Sequence, residues 1–186
     1  MVHQKTLQSN RTLNLSEQQL LDCTKPNTCT EGGNSAYAFS YVKNYGISEE
    51  KVVPYVGKEE SCPYAKVDYY YPISNYCIRS RRAYNRNDHT EQLSDLDIQR
   101  SLLQFGPLYA LIDSNPTIFQ NYRDGVVNDP DCTNSVNHSV LLIGYTNDAW
   151  ILKNSWSNKW GEGGFFRLRR GRNMCGINTE IAWPLL

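Results

Sequence analysis

Two apolar runs joined by three turn residues constrain this chain more than any other feature. Ser139-Val140-Leu141-Leu142-Ile143-Gly144-Tyr145 is rich in β-branched and aliphatic side chains and reads as a buried strand. Thr146-Asn147-Asp148 carries turn chemistry, since short polar side chains bond their own backbone. Ala149-Trp150-Ile151-Leu152-Lys153 reads as the returning strand. A hairpin turning near Thr146 makes His138 and Asn154 cross-strand neighbours, with Cβ atoms about 5 Å apart. An amide oxygen beside an imidazole fixes its tautomer and leaves the second ring nitrogen to take a proton from a nucleophile. A structural histidine bonded within a sheet is the other reading of the pair taken alone.

The 186 residues suffice for one large domain or two small ones around a real core. Nineteen basic residues balance nineteen acidic ones, so no global field draws in nucleic acid or a membrane surface. No apolar segment approaches the roughly 20 residues that span a bilayer. The basic runs Arg79, Arg81, Arg82, Arg86 and Arg167, Arg169, Arg170, Arg172 read as solvated strand faces and loops, and His3 and His89 as surface residues. Residues 1–6 lead into polar sequence and lack the apolar stretch of a secretory signal. The six cysteines, Cys23, Cys29, Cys62, Cys77, Cys132 and Cys175, form no C-x-x-C pair, so no zinc site, other metal or cofactor is expected. An even number spread along the chain suits disulfides and an oxidising compartment; six buried thiols in a cytosolic protein are the alternative. Two glycosylation sequons, Asn10-Arg11-Thr12 and Asn14-Leu15-Ser16, lean toward the first.

Helices come first and strands later, which predicts an α+β fold with two lobes, a common setting for a cleft. Ser16 and Gln19 read as a capping box, with Leu20-Leu21 as the apolar side of a short helix. Ala38, Tyr41, Val42 and Tyr45 recur at helical spacing between a cap at Asn34 or Ser35 and a stop at Gly46. Residues 52–71 read as loop. From Ile73 the texture is strand, interrupted by one helix over about Ser94–Phe105 that Gly106-Pro107 closes. Leu108–Ile112 and Phe165–Leu168 are further strands.

Several segments resemble the papain-like cysteine peptidases. Leu15-Ser16-Glu17-Gln18-Gln19-Leu20-Leu21-Asp22-Cys23 is similar to the family segment that carries a disulfide cysteine, and Cys29-Thr30-Glu31-Gly32-Gly33 to the Cys and Gly-Gly that follow, with one extra residue. Asn137-His138-Ser139-Val140 resembles the catalytic-histidine strand. Lys153-Asn154-Ser155-Trp156 with Trp160-Gly161-Glu162-Gly163-Gly164 resembles the asparagine motif, and Cys175-Gly176-Ile177 the end of the fold. Ile73–Cys77 and Tyr55–Cys62 look like the mite group 1 allergen branch, in which a glycosylated Asn sits where Asn10 falls.

The resemblance implies a helical lobe over residues 1–74 and an antiparallel, barrel-like β lobe over 75–186. It makes His138 the general base and acid, Asn154 its orienter and Trp156 the cover over their hydrogen bond. Trp160 floors the leaving-group side. Gly32, Gly33, Leu111, Val136, Asn137 and Glu180 contact substrate, with Glu180 at the far end of an apolar pocket. Plain core packing is the other reading of Trp156 and Trp160, and a solvent-facing side chain that of Glu180. Cys23 pairs with Cys62 and Cys132 with Cys175; Cys29 and Cys77 stay unpaired. Asn10 and Asn14 are glycosylation acceptors. The implied protein is secreted or lysosomal, monomeric, and binds peptide or protein substrates and cystatin-like inhibitors.

One departure governs the functional expectation. The C-G-[SA]-C-[WY] signature of the nucleophile, about 130–150 residues before the His and Asn, does not occur in this sequence. Fitting the Cys23 segment to the family puts that cysteine about eight residues before Met1, the oxyanion-hole glutamine further upstream, and Val2–Leu7 at the end of the nucleophile-bearing helix. The chain by itself is therefore expected to be inactive. Three readings stand: part of an active cysteine endopeptidase, a pseudopeptidase that binds peptides or inhibitors, or an unrelated disulfide-rich binding domain. The retained His138 and Asn154 favour the first, and the asparagine motif counts against the third.

Overall fold

The computed structural model describes residues 13–62, 70–80 and 93–186. His3, Asn10, Arg81, Arg82, Arg86 and His89 lie outside them, as does the Val2–Leu7 segment. The chain divides into two compact units: residues 1–77 with 184–186, and residues 78–183. The first boundary thus falls three residues beyond the one expected, and the last three residues rejoin the first unit.

In the first unit, α1 (Glu17–Cys23) starts at Ser16, whose Oγ accepts from Gln19 N at 3.0 Å. The expected capping box is only half made. The Gln19 amide instead accepts from Ser48 N at 2.7 Å and donates to Tyr41 Oη at 3.1 Å. Burial around α1 also inverts the sequence reading. Gln18, Gln19 and Asp22 are buried, while Leu20 and Leu21 are half-exposed. Gln18 Oε1 accepts from Val56 N at 2.9 Å and its Nε2 donates to Lys58 O at 2.8 Å. Asp22 Oδ1 accepts from Glu60 N at 2.7 Å. Among the described residues, 56–60 have no sheet partner, and the helix's polar side chains supply hydrogen bonds to them, which is what permits the burial of polar groups.

Asn34 caps α2 (Ser35–Tyr45), accepting from Ala36 N at 2.8 Å, and Gly46 ends it at φ +75°. Of the four aromatic and aliphatic positions at helical spacing, Val42 reaches the core, whereas Tyr45 is 57% exposed. The core here is Leu13, Leu15, Val42, Ile47 and Ile73, with Phe39, Tyr76 and Leu186 packed against it. Ser74 ties residue 185 in place through its N (2.9 Å) and Oγ (3.1 Å).

The remaining elements are β1 (Asn75–Ser80), α3 (Asp95–Phe105), β2 (Leu108–Ile112), α4 (Thr117–Asn121), β3 (Val126–Val127), β4 (His138–Tyr145), β5 (Ala149–Lys153), β6 (Phe165–Arg169), a 3-10 turn (Met174–Gly176) and β7 (Glu180–Leu185). Ser94 and Asp97 complete a capping box at the start of α3. The strands form one sheet in the order β1-β7-β2-β4-β5-β6-β3. β2–β4, β2–β7, β4–β5 and β5–β6 are antiparallel, as expected of this lobe, and the two-residue β3 joins β6 in parallel at one edge, so the sheet is mixed. Leu108, Leu142, Trp150, Leu152, Phe166 and Leu168 form a fully buried face.

Arg170 is not a solvated member of a basic run. Its guanidinium lies 4.4 Å from the Trp150 ring centroid and 4.8 Å from that of Tyr145, and donates to Thr146 O and Gln99 Oε1. Stacking shields the apolar faces of the guanidinium while its edge stays hydrogen-bonded.

Cys23 is bonded to Cys62 and Cys132 to Cys175, while Cys29 and Cys77 are free. The bridges span 39 and 43 residues, and each contributes about 4 kcal/mol in the chain-entropy view. Alkylating the folded, unreduced protein is expected to label two thiols, at Cys29 and Cys77, by peptide mapping. A mapped Cys29–Cys77 bridge would overturn that assignment.

Candidate active site

The hairpin turns between Asn147 and Asp148, not at Thr146. Thr146 N donates to Ala149 O at 2.7 Å, and Thr146 Oγ1 donates to Asp148 Oδ1 at 2.8 Å. Tyr145 faces Trp150 and Gly144 faces Ile151. A bulge follows, after which Leu142 faces Leu152 and Leu141 faces Lys153. Continuing that register puts Val140, not His138, opposite Asn154. The turn centre and the bulge together make His138 and Asn154 diagonal rather than direct neighbours. Their side chains still share a face and remain within reach. His138 Nε2 lies 2.8 Å from Asn154 Oδ1.

An amide oxygen can only accept, so this contact makes Nε2 the protonated nitrogen of the neutral ring. Nδ1 has no hydrogen-bond partner among the described residues. The ring is therefore oriented by one nitrogen and free to accept a proton at the other. Asn154 Oδ1 also accepts from Ser155 N at 2.8 Å, and the residue is 7% exposed. Trp156 lies over the imidazole with ring centroids 5.0 Å apart, and it is 36% exposed. It screens one side of the hydrogen bond while remaining part of the surface.

Asn154 is held by the turn that follows it. Its N donates to Gly164 O at 2.9 Å, and Glu162 forms a bridge with Phe165. At Gly161, φ is +56° and a Cβ would come within 2.7 Å of Phe165 O, so glycine is required there. Glu162 accepts from Arg167 Nε at 3.1 Å, from Arg167 Nη2 at 2.6 Å and from Gly125 N at 3.0 Å. The Arg167 guanidinium holds the Glu162 carboxyl below the usual carboxylate range. Trp160 packs edge-on to Trp156 and Phe166, and its Nε1 donates to Phe119 O at 2.8 Å. Trp160 is half-buried and links Trp156 to the Phe119 and Phe166 packing.

Sequence reasoning missed the clasp that brings the chain to His138. Asp113 is buried, and its Oδ2 accepts from Thr133 N at 2.9 Å and Thr133 Oγ1 at 2.6 Å. Its Oδ1 accepts from Asn115 N at 3.0 Å. Ser114 N and Oγ each donate to Asn137 Oδ1 at 3.0 Å, and Asn137 N donates to Ile112 O at 2.9 Å. Ile112 in turn faces His138. Burial works against charge on Asp113, but the Thr133 and Asn115 hydrogen bonds outweigh it and hold its pKa below the usual range. The Asp113-Ser114-Asn115-Pro116 run, dense in turn formers after a strand, was the available signal.

Of the other expected contact residues, Leu111, Val136, Asn137 and Glu180 lie in the second unit, and Gly32 and Gly33 in the first. The β2–β7 register pairs Tyr109 with Ala182 and Ala110 with Ile181. One further step sets Leu111 opposite Glu180, as Leu111 is opposite Ser139 on β4. Those three side chains share one sheet face. A surface cavity bordered by Thr117, Tyr122, Arg123, Val126 and Asp129 takes in none of the expected residues. Asn14 is exposed. Among the described residues no group of His, Cys, Asp and Glu could hold a metal ion.

Asn154→Ala is expected to cost about 1 kcal/mol in urea unfolding. It should also speed solvent exchange of the His138 Nε2 proton, followed by NMR. Because the folded-state pKa values of Asp113 and Glu162 are depressed, their stabilisation is present above the ordinary carboxylate pKa of about 4 and is lost as pH falls through the folded values. Asp113→Asn should therefore lower Tm at pH 7 and change it much less near pH 3. An equal loss at both values would show that the carboxylate charge is not what matters.

A profile of the papain family cysteine proteases matches residues 1–185. Digestive cysteine proteinase 2 of Homarus americanus is 33% identical over 98% of this chain and 56% of its own length. Cathepsin K of Mus musculus is 36% identical over 92% of this chain and 51% of its own. The chain thus spans about half the length of these curated relatives. Among solved structures, the ragweed pollen cysteine protease Amb a 11 in its proform superposes with a TM-score of 0.86 at 29% identity, covering 100% of this chain and 56% of that one. Digestive procathepsin L 3 of Tenebrio molitor gives 0.83 at 33% identity, over 100% and 60%. By sequence and by fold, the chain belongs to the papain family of cysteine proteases.

Proposed function

We propose that these residues supply the base and its orienter to a cysteine-type endopeptidase. The observation that carries this reading is the 2.8 Å contact from His138 Nε2 to Asn154 Oδ1 beneath Trp156, which leaves Nδ1 uncommitted. With a thiol at Nδ1, the imidazole takes its proton, and the resulting imidazolium stabilises the thiolate. The thiolate attacks the scissile carbonyl carbon. As the tetrahedral species collapses, the imidazolium returns the proton to the leaving amine. Water, deprotonated by the same nitrogen, then releases the acyl group. Asn154 keeps the ring in the one tautomer that can perform both transfers. The substrates are peptides or proteins, the inhibitors cystatin-like, and the setting secreted or lysosomal. A solved relative, the Carica candamarcensis cysteine protease CMS1MS2, was determined in complex with E-64.

The nucleophilic cysteine and the oxyanion glutamine are not among these 186 residues, so this polypeptide alone is inactive. The second reading is a pseudopeptidase that binds peptides without turning them over. Purified 186-residue protein is expected to give no hydrolysis of fluorogenic peptides above background. The same protein, extended at its N-terminus by the nucleophile-bearing helix of a relative, is expected to gain turnover that alkylation and His138→Ala both abolish. Turnover by the unextended protein would refute its inactivity; peptide binding without turnover in the extended one would favour the pseudopeptidase.

Leu111 and Val136, both in the second unit, are read as walls of a pocket for the second side chain on the acyl side, with Glu180 at its end. A carboxylate ending an apolar slot is costly alone and favourable opposite a guanidinium. In the extended enzyme, Glu180→Ala should lower the Arg-to-Phe ratio of kcat/KM at that position. An unchanged ratio would remove Glu180 from the pocket.

A further inference from the structure

Asn137-His138-Ser139 is itself a glycosylation sequon, with the proposed base as its middle residue. Asn137 is exposed, ahead of the first residue of β4. Its side-chain amide is divided in use. Oδ1 accepts two hydrogen bonds, from Ser114 N and Ser114 Oγ, both at 3.0 Å. Nδ2 makes no hydrogen bond among the described residues. N-linked sugar replaces one hydrogen of Nδ2 and leaves Oδ1 an acceptor. The clasp that leads the chain into His138 can therefore survive the modification intact.

From these features we infer that Asn137 is an acceptor for N-linked glycan, and that the occupied form is screened at His138. In the transfer, Nδ2 bonds to the anomeric carbon of a lipid-diphosphate-linked oligosaccharide. The bond from that carbon to the diphosphate oxygen breaks, the lipid diphosphate leaves, and Nδ2 gives up one proton. No oxidation or reduction is involved. A bulky, hydrated substituent then stands one residue from the imidazole whose Nδ1 is uncommitted, and obstructs a substrate's approach to it. Such a glycan would produce a closed population without altering the His138–Asn154 pair. The inference rests on the secretory setting proposed above, but not on catalysis.

The test imposes the setting. The 186-residue chain carrying an appended secretory signal is expressed in eukaryotic cells, and secreted protein is treated with peptide N-glycosidase in heavy-oxygen water. Asn137 is expected to appear as heavy-oxygen Asp in the peptide that contains His138. Asn137→Gln and Ser139→Ala should each lose one glycan by intact mass, while Ser139→Thr should keep it. Diethyl pyrocarbonate should modify His138 more slowly in the glycosylated protein than in Asn137→Gln. Unmodified Asn137 in secreted protein would overturn the acceptor assignment, and equal reactivity of His138 in the two forms would overturn the screening. Neither readout depends on peptidase activity, so both outcomes are separable from failure of the endopeptidase reading.

Discussion

A hydrogen bond from an imidazole to a neutral amide orients the ring only if the amide cannot swing away. Asn154 meets that condition because its backbone is bonded to Gly164 and its oxygen also accepts from Ser155 N. The turn behind it depends on Gly161, on the Glu162–Arg167 pair and on the packing of Trp160 against Phe166. A carboxylate in place of Asn154 would bring a charge and favour the imidazolium ring outright. The amide fixes the ring's direction and tautomer without adding a charge.

The two sides of the pair are secured differently. On the Asn154 side the support is local, from a glycine-rich turn and one charged pair. On the His138 side it is long-range: Asp113, Ser114 and the Cys132–Cys175 bridge gather the loop before β4. A buried carboxylate serves well here because it accepts three hydrogen bonds at once and so joins two loop segments twenty residues apart.

How much could be read from sequence follows from the range of each interaction. The α2 cap at Asn34, the stop at Gly46 and the two strands around Thr146-Asn147-Asp148 depend on neighbours within a few residues, and they were legible. The register of β4 on β5 was not, because one bulged residue, Ile143, shifts every pairing farther from the turn, and bulges carry no dependable local signature. Burial of Gln18 and Asp22 was misread because polar side chains normally face water. Here a loop about forty residues away supplies their partners. Arg170 was misread for a related reason, since its aromatic neighbours come from two other strands. The roles of His138 and Asn154 came from motif resemblance, while Asp113, in an ordinary turn sequence, offered no motif to match.

Residues 184–186 return to the first unit after the whole of the second has been traversed, and Leu186 packs on Leu13, Leu15, Val42, Ile47 and Ile73. On a ribosome adding about 5–20 residues per second, the second unit's sheet can begin to form before the first unit gains Leu186, the partly buried side chain that covers its core. The N-terminal portion can gather its five buried core residues early, but the side of that cluster that Leu186 covers stays open until those residues emerge. The first unit to emerge is thus the last to be covered, and in that interval its apolar surface is open to other chains.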